Sequence, residues 1–258
     1  MGKFSGTLLA SDFDRTLVDH SLVPSKEVSD AIAYYKANGG LFTINTGRSH
    51  RIFDPDPALL NAPAILGNGS MVIDWENRDI LHLSGIGDEG LAPLRDVRDF
   101  FPNVAIEMHA IDDTTFSIRR EEGFYTEVND PADACRPWVK AIIEGEHIDI
   151  AGVQKFLAAY HRNSISFFPT TGGYLEVVRC GVNKASGMRW LAKHLGIDMA
   201  KVFAVGDGYN DVEMLEAAAI GFVPENSGPE AKSVADRIVR SVDDHAVAHV
   251  IEILDSMF

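Results

Sequence analysis

Only two cysteines, Cys135 and Cys180, occur among 258 residues. They are too few for a disulfide framework in a chain of this size and read as reduced thiols of a cytoplasmic protein. No apolar run approaches the roughly 20 residues that a membrane-spanning helix needs. The opening "MGKFSGTLLASDFD" lacks the hydrophobic stretch and small-residue cleavage site of a secretory signal, and Gly6 stands where a myristoylation signal has Ser or Thr. The Asn-X-Ser match at "NGS", residues 68 to 70, is therefore read as accidental. Basic residues are scarce as well: 23 Lys and Arg stand against 38 Asp and Glu, a formal net charge of -15. That balance opposes binding to nucleic acid or to an anionic membrane. An anionic ligand would need positive charge supplied locally, by a metal ion or by a few Lys and Arg. Internal repeats and low-complexity linkers are missing too.

What is there is an ordinary globular balance, 46% hydrophobic and 24% charged residues, in a chain long enough to bury a large core. By hydrophobic periodicity "TLLASDF" is a buried strand, and "SKEVSDAIAYYKANGG" is an amphipathic helix capped by Ser25 and stopped at Gly39 or Gly40. "LFTINTGRS" repeats the pattern of an apolar strand running into a polar, Gly-containing turn. "APAILGNGS" is a third such strand, and "MVIDWENRDILHLS" reads as a hairpin turning at "ENRD". Toward the C-terminus helices are expected at "NKASGMRWLAKHLG", "NDVEMLEAAA", "GPEAKSVADRIV" and "DDHAVAHVIEILDSM", with strands at "KVFAVGDG" and "IGFVP". This alternation predicts an α/β core, a Rossmann-like, doubly wound, mostly parallel sheet covered on both faces.

The texture changes between about residues 84 and 180. Strands are expected there at "NVAIEMHAI", "TFSIRR", "SISFFP" and "YLEVV", with helical stretches near "DEGLAPLRDVRDFF" and "ADACRPWVKAII". The reading is an α+β module at 84–180 inserted into a core made of residues 1–83 and 181–258.

Ligands of such sheets sit at the carboxyl ends of the strands. Three polar tips fall there: "DFDRT", "INTGR" and "VGDGYND". Asp12 and Asp14 share one side if their strand stays extended. Phosphoryl transfer through a carboxylate nucleophile needs such a pair, one to attack phosphorus and one to protonate the leaving alcohol, with a divalent cation to let anions approach each other. Magnesium prefers oxygen ligands, and Asp207 and Asp211 supply more of them. Thr46 and the backbone amides of "NTGR", Gly47 among them, offer donors to phosphate oxygens. Lys184, at a helix start, offers a cation for the charge that builds on them. Singly, the paired aspartates read equally well as a solvated turn, and a "TGR" or a lone Lys near a helix start is far more often ordinary surface.

Taken in order, "DFDRTL", "TINTGR", "VNKASG" and "GDGYND" resemble the four motifs of the haloacid dehalogenase-like phosphatases, specifically the Cof-type subfamily of sugar-phosphate phosphatases. The motifs span residues 12 to 211, and the insertion sits where that subfamily carries its cap domain. The resemblance implies that Asp12 is the nucleophile forming an aspartyl phosphate and that Asp14 is the general acid and then base. It implies that Thr46, Gly47, Lys184 and Asn210 contact phosphate. Mg2+ would be bound by Asp12, the backbone carbonyl of Asp14 and Asp207, with Asp211 in support. The implied partner is a small phosphorylated substrate, a sugar or polyol phosphate, and neither nucleic acid nor membrane; oligomeric state stays open. A sugar phosphomutase of the same fold and a non-catalytic regulatory or binding protein are the alternatives, the latter having no need of Asp12, Asp14, Lys184 and Asp207 together. The chain departs from the pattern at Arg15, where the family usually has a Gly that eases a tight turn.

Other features are weaker. "GIGDEG" fits a dinucleotide-binding pattern, but Asp88 and Glu89 would meet the pyrophosphate, so it reads as a flexible entry to the inserted module. His50, His109, His147 and His161 lack metal-ligand spacing. Arg48 and, in "FFPTTGGYLEVV", Thr171, Gly172 and Gly173 are candidates to touch a leaving group, with an ordinary hairpin turn as the plainer reading of the last three.

Overall fold

Four consecutive buried residues form the first strand, β1 (Leu8–Ser11), of the computed structural model. A strand buried on both faces carries no polar alternation, so its sequence is apolar from Leu8 to Ala10 before the buried Ser11. The structure describes residues 2–120, 123–170 and 173–258. The chain separates into one unit of Met1–Gly47, Asp54–Leu81 and Asn183–Phe258 and another of Arg48–Phe53 and His82–Val182.

In the first unit, helix α1 (Lys26–Ala37) begins where the Ser25 side chain accepts from the Val28 amide and ends at Asn38. Strands β2 (Leu41–Ile44), β3 (Ala64–Leu66), β4 (Met71–Asp74) and β5 (Asp79–Leu83, its last two residues counted with the second unit) follow, the last three forming a small sheet in the order β3-β4-β5.

The second unit holds α2 (Leu91–Phe100), β6 (Ala105–Ala110), β7 (Thr115–Ile118), β8 (Thr126–Glu127), β9 (Trp138–Glu144), α3 (His147–Tyr160), β10 (Ile165–Thr170) and β11 (Tyr174–Arg179). Its sheet runs β10-β11-β9-β6-β7-β8. Ile106, Met108, Ala141, Ile143, Leu175 and Val177 pack with Leu94 and Val97 of α2 and with Val153 and Leu157 of α3. Two sequence expectations change here. The second half of "ADACRPWVKAII" is not helical but forms β9, flanked by β6 and β11. Pro137 has no amide to donate and bars a helix from running through it, and the charge of Lys140, buried in mid-strand, is met by Glu176. Helix α3 was not expected at all. Ile148 and Tyr160 stay exposed, so apolar residues stand on both faces and blur the helical period.

Asp130 clasps α2. It accepts from Arg95 Nε at 2.9 Å, from Arg98 Nη1 at 2.7 Å and from the Ala132 amide at 2.8 Å. Arg95 above all, with Ala132 and Arg98 in support, holds its carboxyl well below the usual range even though burial pushes the other way. A carboxyl depressed on folding adds stability that is full above its unfolded pKa of about 3.9 and is lost as pH falls through its folded value. Asp130→Asn is expected to lower stability by about 1 kcal/mol at neutral pH. Urea unfolding should show the gap to wild type narrowing as pH drops below about 4; a gap indifferent to pH would assign the effect to something other than this charge.

The chain returns to the first unit with α4 (Lys184–His194), β12 (Val202–Val205), α5 (Val212–Ala217), β13 (Ile220–Pro224), α6 (Pro229–Val234), β14 (Arg237–Val239) and α7 (Ala246–Met257). Here "GPEAKSVADRIV" is not one helix. Asp236 exchanges hydrogen bonds with Gly221, its amide donating to the Gly221 carbonyl and its carboxylate accepting from the Gly221 amide. That draws the chain into an edge strand parallel to β13. The completed sheet is all parallel, ordered β14-β13-β12-β1-β2. Leu8, Ala10, Val202 and Ala204 pack with Met188 and Leu191 of α4 and with Met214 and Leu215 of α5. On the other face α1 and α7 lie together, with Phe258 stacked edge-on against Phe203 and Phe4. The doubly wound α/β expectation is met. Among the described residues no helix is long and apolar enough to cross a membrane.

Candidate active site

Strands β2, β1 and β12 are neighbours in level register, with Ser11 opposite both Ile44 and Val205. The three exits therefore stand together at one edge of the sheet, where Asp12, Asn45 and Gly206 are the first residues beyond. From β1 the chain winds to β2 on one side and returns as β12 on the other. Such a reversal opens a crevice at the carboxyl ends of the strands.

Into that edge projects a buried ion cluster. Lys184 Nζ donates to Asp12 Oδ1 and to Asp211 Oδ1, both at 2.6 Å. Lys184 is the first residue of α4, behind an Asn183 cap closed reciprocally by Ser186, and its carbonyl accepts from Asn45 Nδ2 at 2.9 Å. Asp211 also accepts through Oδ2 from the amides of Asp207 and Gly208, at 3.0 and 2.9 Å. This close fit depends on Gly206, because a Cβ there would lie 2.4 Å from the Asp211 carboxyl carbon. Asp207 accepts from Thr16 Oγ1 at 3.3 Å and lies 3.6 Å from Arg15 Nε.

Asp12, Asp207 and Asp211 are all buried, and each offers a carboxylate oxygen within 4.8 Å of the others. Burial pushes the Asp12 carboxyl well above its usual range; Lys184 works against this and Asp211 and Asp207 with it. Burial, then Asp211, raises Asp207 to about 6 despite Arg15 and Lys184. Burial pulls the Lys184 ammonium down, but Asp12 and Asp211 more than offset that and hold it above its ordinary value. Acid and base shift upward together because three buried carboxylates face a single buried ammonium. Even with the half-exposed Arg15 guanidinium beside Asp207, the buried carboxylates outnumber the buried cation, and a divalent ion would satisfy the excess. A donor set of carboxylate oxygens, without His or Cys, fits a hard divalent ion.

Asp14 is half-buried and stands outside this trio, its backbone bridged to Val18. Thr46 is buried, and the amides of Asn45 and Thr46 are spent on the carbonyls of Ser11 and Ile65. Asn210 Nδ2 donates to Asn68 Oδ1 at 2.9 Å. Asn68 is fully buried with a φ of 55°, which removes the glycosylation match and places it beside Asn210. Gly47 belongs to the first unit and Arg48 to the second. Gly173 has a φ of 82°, and a Cβ on it would lie 2.5 Å from the Gly145 carbonyl oxygen, so the packing of its own turn calls for glycine at this position. Thr171 and Gly172 lie outside the described residues. Residues Asp88–Gly90 form a short turn in which Glu89 accepts from the Gly87 amide. His50, His109 and His161 each have a hydrogen-bond partner. Thr16, Asn45 and Asn68 are contributors that the sequence reading did not single out. The first two lie inside quoted motifs, and Asn68 was set aside with the glycosylation match.

Residues 9–251 match the haloacid dehalogenase-like hydrolase family. The chain is 30% identical to a Streptococcus pyogenes serotype M6 protein with a provisional phosphatase name, covering 95% of this chain and 96% of that one. It is 26% identical to the HMP-PP phosphatase of Serratia proteamaculans, covering 95% and 94%. In fold it is similar to a haloalkanoate-superfamily phosphatase of Bacteroides thetaiotaomicron, with a TM-score of 0.85, 20% identity and coverage of 98% and 97%. The motif order, the parallel sheet and the carboxylate cluster at its edge agree with these matches, and the chain belongs to the haloacid dehalogenase-like hydrolases, among the Cof-type phosphatases.

Proposed function

We propose that this protein is a magnesium-dependent phosphatase that hydrolyses small phosphorylated metabolites, sugar or polyol phosphates, through an aspartyl phosphate on Asp12. The observation that carries the reading is the buried Lys184 ammonium, 2.6 Å from both Asp12 and Asp211, with Asp207 completing a trio of carboxylates. An ammonium so placed keeps Asp12 company as an anion and remains available to the oxygens of an incoming phosphoryl group.

Asp12 attacks phosphorus as the bond to the leaving oxygen breaks, and Asp14 gives that oxygen its proton. Asp14 then takes a proton from the water that attacks the aspartyl phosphate, which releases inorganic phosphate and restores Asp12. Lys184, the Thr46 hydroxyl, Gly47 and Asn210 hold the phosphoryl oxygens. Asp12, the Asp14 carbonyl and Asp207, backed by Asp211, would hold Mg2+, which when bound neutralises charge on those oxygens. Residues 84–180 act as an inserted cap that selects the leaving group, with Arg48 and Gly173 as candidate contacts. Reduced Cys135 and Cys180 suit a cytoplasmic enzyme.

The test is phosphate release from a panel of sugar, polyol and nucleotide monophosphates and an aryl phosphate, before and after thorough chelation. Activity on a few compounds, lost in chelator and recovered with magnesium, is expected. Hydrolysis indifferent to chelation would overturn the metal assignment, and silence from folded protein across the panel would overturn the substrate class.

A further inference from the structure

Arg15 has a φ of 62°, in the left-handed region that disfavours any residue with a Cβ. Four contacts hold it there. Its amide donates to the Val18 carbonyl at 2.8 Å, and its carbonyl accepts from Asn226 Nδ2 at 2.9 Å. Its Nη2 donates to the Asn226 carbonyl at 3.3 Å, and its Nε stands 3.6 Å from Asp207 Oδ2. Asn226 is fixed in turn, because its Oδ1 accepts from the Val242 amide at 2.8 Å. Two residues further on, the Gly228 amide donates to the Asp207 carbonyl at 3.0 Å. The turns after β1 and β12 and the loop after β13 thus close on one another around the Arg15 guanidinium. The Arg15 side chain is 51% exposed and that of Asp207 only 9%, so the guanidinium lies between solvent and the carboxylate trio.

We propose that Arg15 is a positioning residue that sets the cation affinity of this site: it holds Asp207 from the solvent side and, as a fixed positive charge, weakens binding of the divalent ion. The proposal rests on the magnesium reading above. A unit positive charge within reach of a carboxylate that would hold a doubly charged ion opposes that ion's binding by roughly tenfold, even at the dielectric of water. Water is the appropriate medium for a half-exposed group, and for the same reason salt should screen the effect. A fixed charge of this kind raises the magnesium concentration at which the site fills without taking part in the chemistry.

The experiment is calorimetric titration of magnesium into the chelator-treated, full-length protein at low and high salt, for wild type, Arg15→Gln and Arg15→Lys. Arg15→Gln is expected to bind magnesium about tenfold more tightly at low salt, with the gap shrinking at high salt, while Arg15→Lys, which keeps the charge, returns toward wild type. Should Arg15→Gln fail to unfold cooperatively, Arg15→Gly removes the same charge and suits the left-handed backbone. Unchanged or weaker binding on loss of the charge overturns the proposal, as does tighter binding that Arg15→Lys does not reverse. Wild type that binds no magnesium overturns the metal reading and this proposal with it, and that failure is seen before any substitution is made.

Discussion

Asp12→Asn is expected to lower turnover by at least about 10^4-fold, because an amide is a poor nucleophile and removal of a group that forms the covalent intermediate loses the whole catalytic arrangement. The substitution is nearly isosteric, and it removes one of three buried carboxylates that face a single ammonium. Stability should therefore hold or rise in metal-free protein, the signature of a residue retained for chemistry at the expense of the fold. Single-turnover phosphate release and thermal unfolding of the same preparation check both halves. Appreciable remaining turnover would remove Asp12 from the nucleophile role; lost turnover with a collapsed fold would make the activity result uninformative about chemistry and would contradict the charge argument.

The second large effect is expected at Lys184. Its side chain is 1% exposed and its ammonium lies 2.6 Å from two carboxylates. Lys184→Met keeps an unbranched side chain one atom shorter and deletes the charge, leaving Asp12 and Asp211 buried without their shared partner. Breaking a buried pair in this way destabilises by about 3–5 kcal/mol, because the remaining charge is uncompensated. Magnesium should return part of that loss, since a divalent ion brings the trio the positive charge it lacks. Urea unfolding with and without magnesium measures both effects. Pairing Lys184→Met with Asp12→Asn should give a loss smaller than Lys184→Met alone, because the second change removes one of the orphaned charges. A Lys184→Met protein as stable as wild type would show that the carboxylates find compensation elsewhere.

The elements that could be read from sequence are those whose signals are local. Ser25 caps α1 and Asn183 caps α4 through their own neighbours three residues on. The strands β1, β2 and β12 are apolar runs that end in polar tips, and their periodicity needs no knowledge of the rest of the fold. The misread segments depend on distant partners. Lys140 lies inside β9 because Glu176, 36 positions away, takes its charge, and β14 leaves the helical pattern because Asp236 meets Gly221. Neither partner is visible from a window of ten residues.

The same division runs through the site. The order of the motifs and the chemical types of Asp12, Thr46, Lys184, Asp207 and Asp211 were determined by the sequence itself, because nucleophile, cation and oxygen ligands are properties of side chains and follow one another along the chain. Which of those groups meet was decided only by the tertiary structure. Period-two spacing in an extended strand would keep Asp14 beside Asp12, but the chain turns after β1 and the partners of Asp12 come from 172 to 199 positions away. Parallel strands held in register bring those distant residues to one edge, and the excess of negative charge that raises Asp12 and Asp207 exists only once burial and proximity have been imposed together.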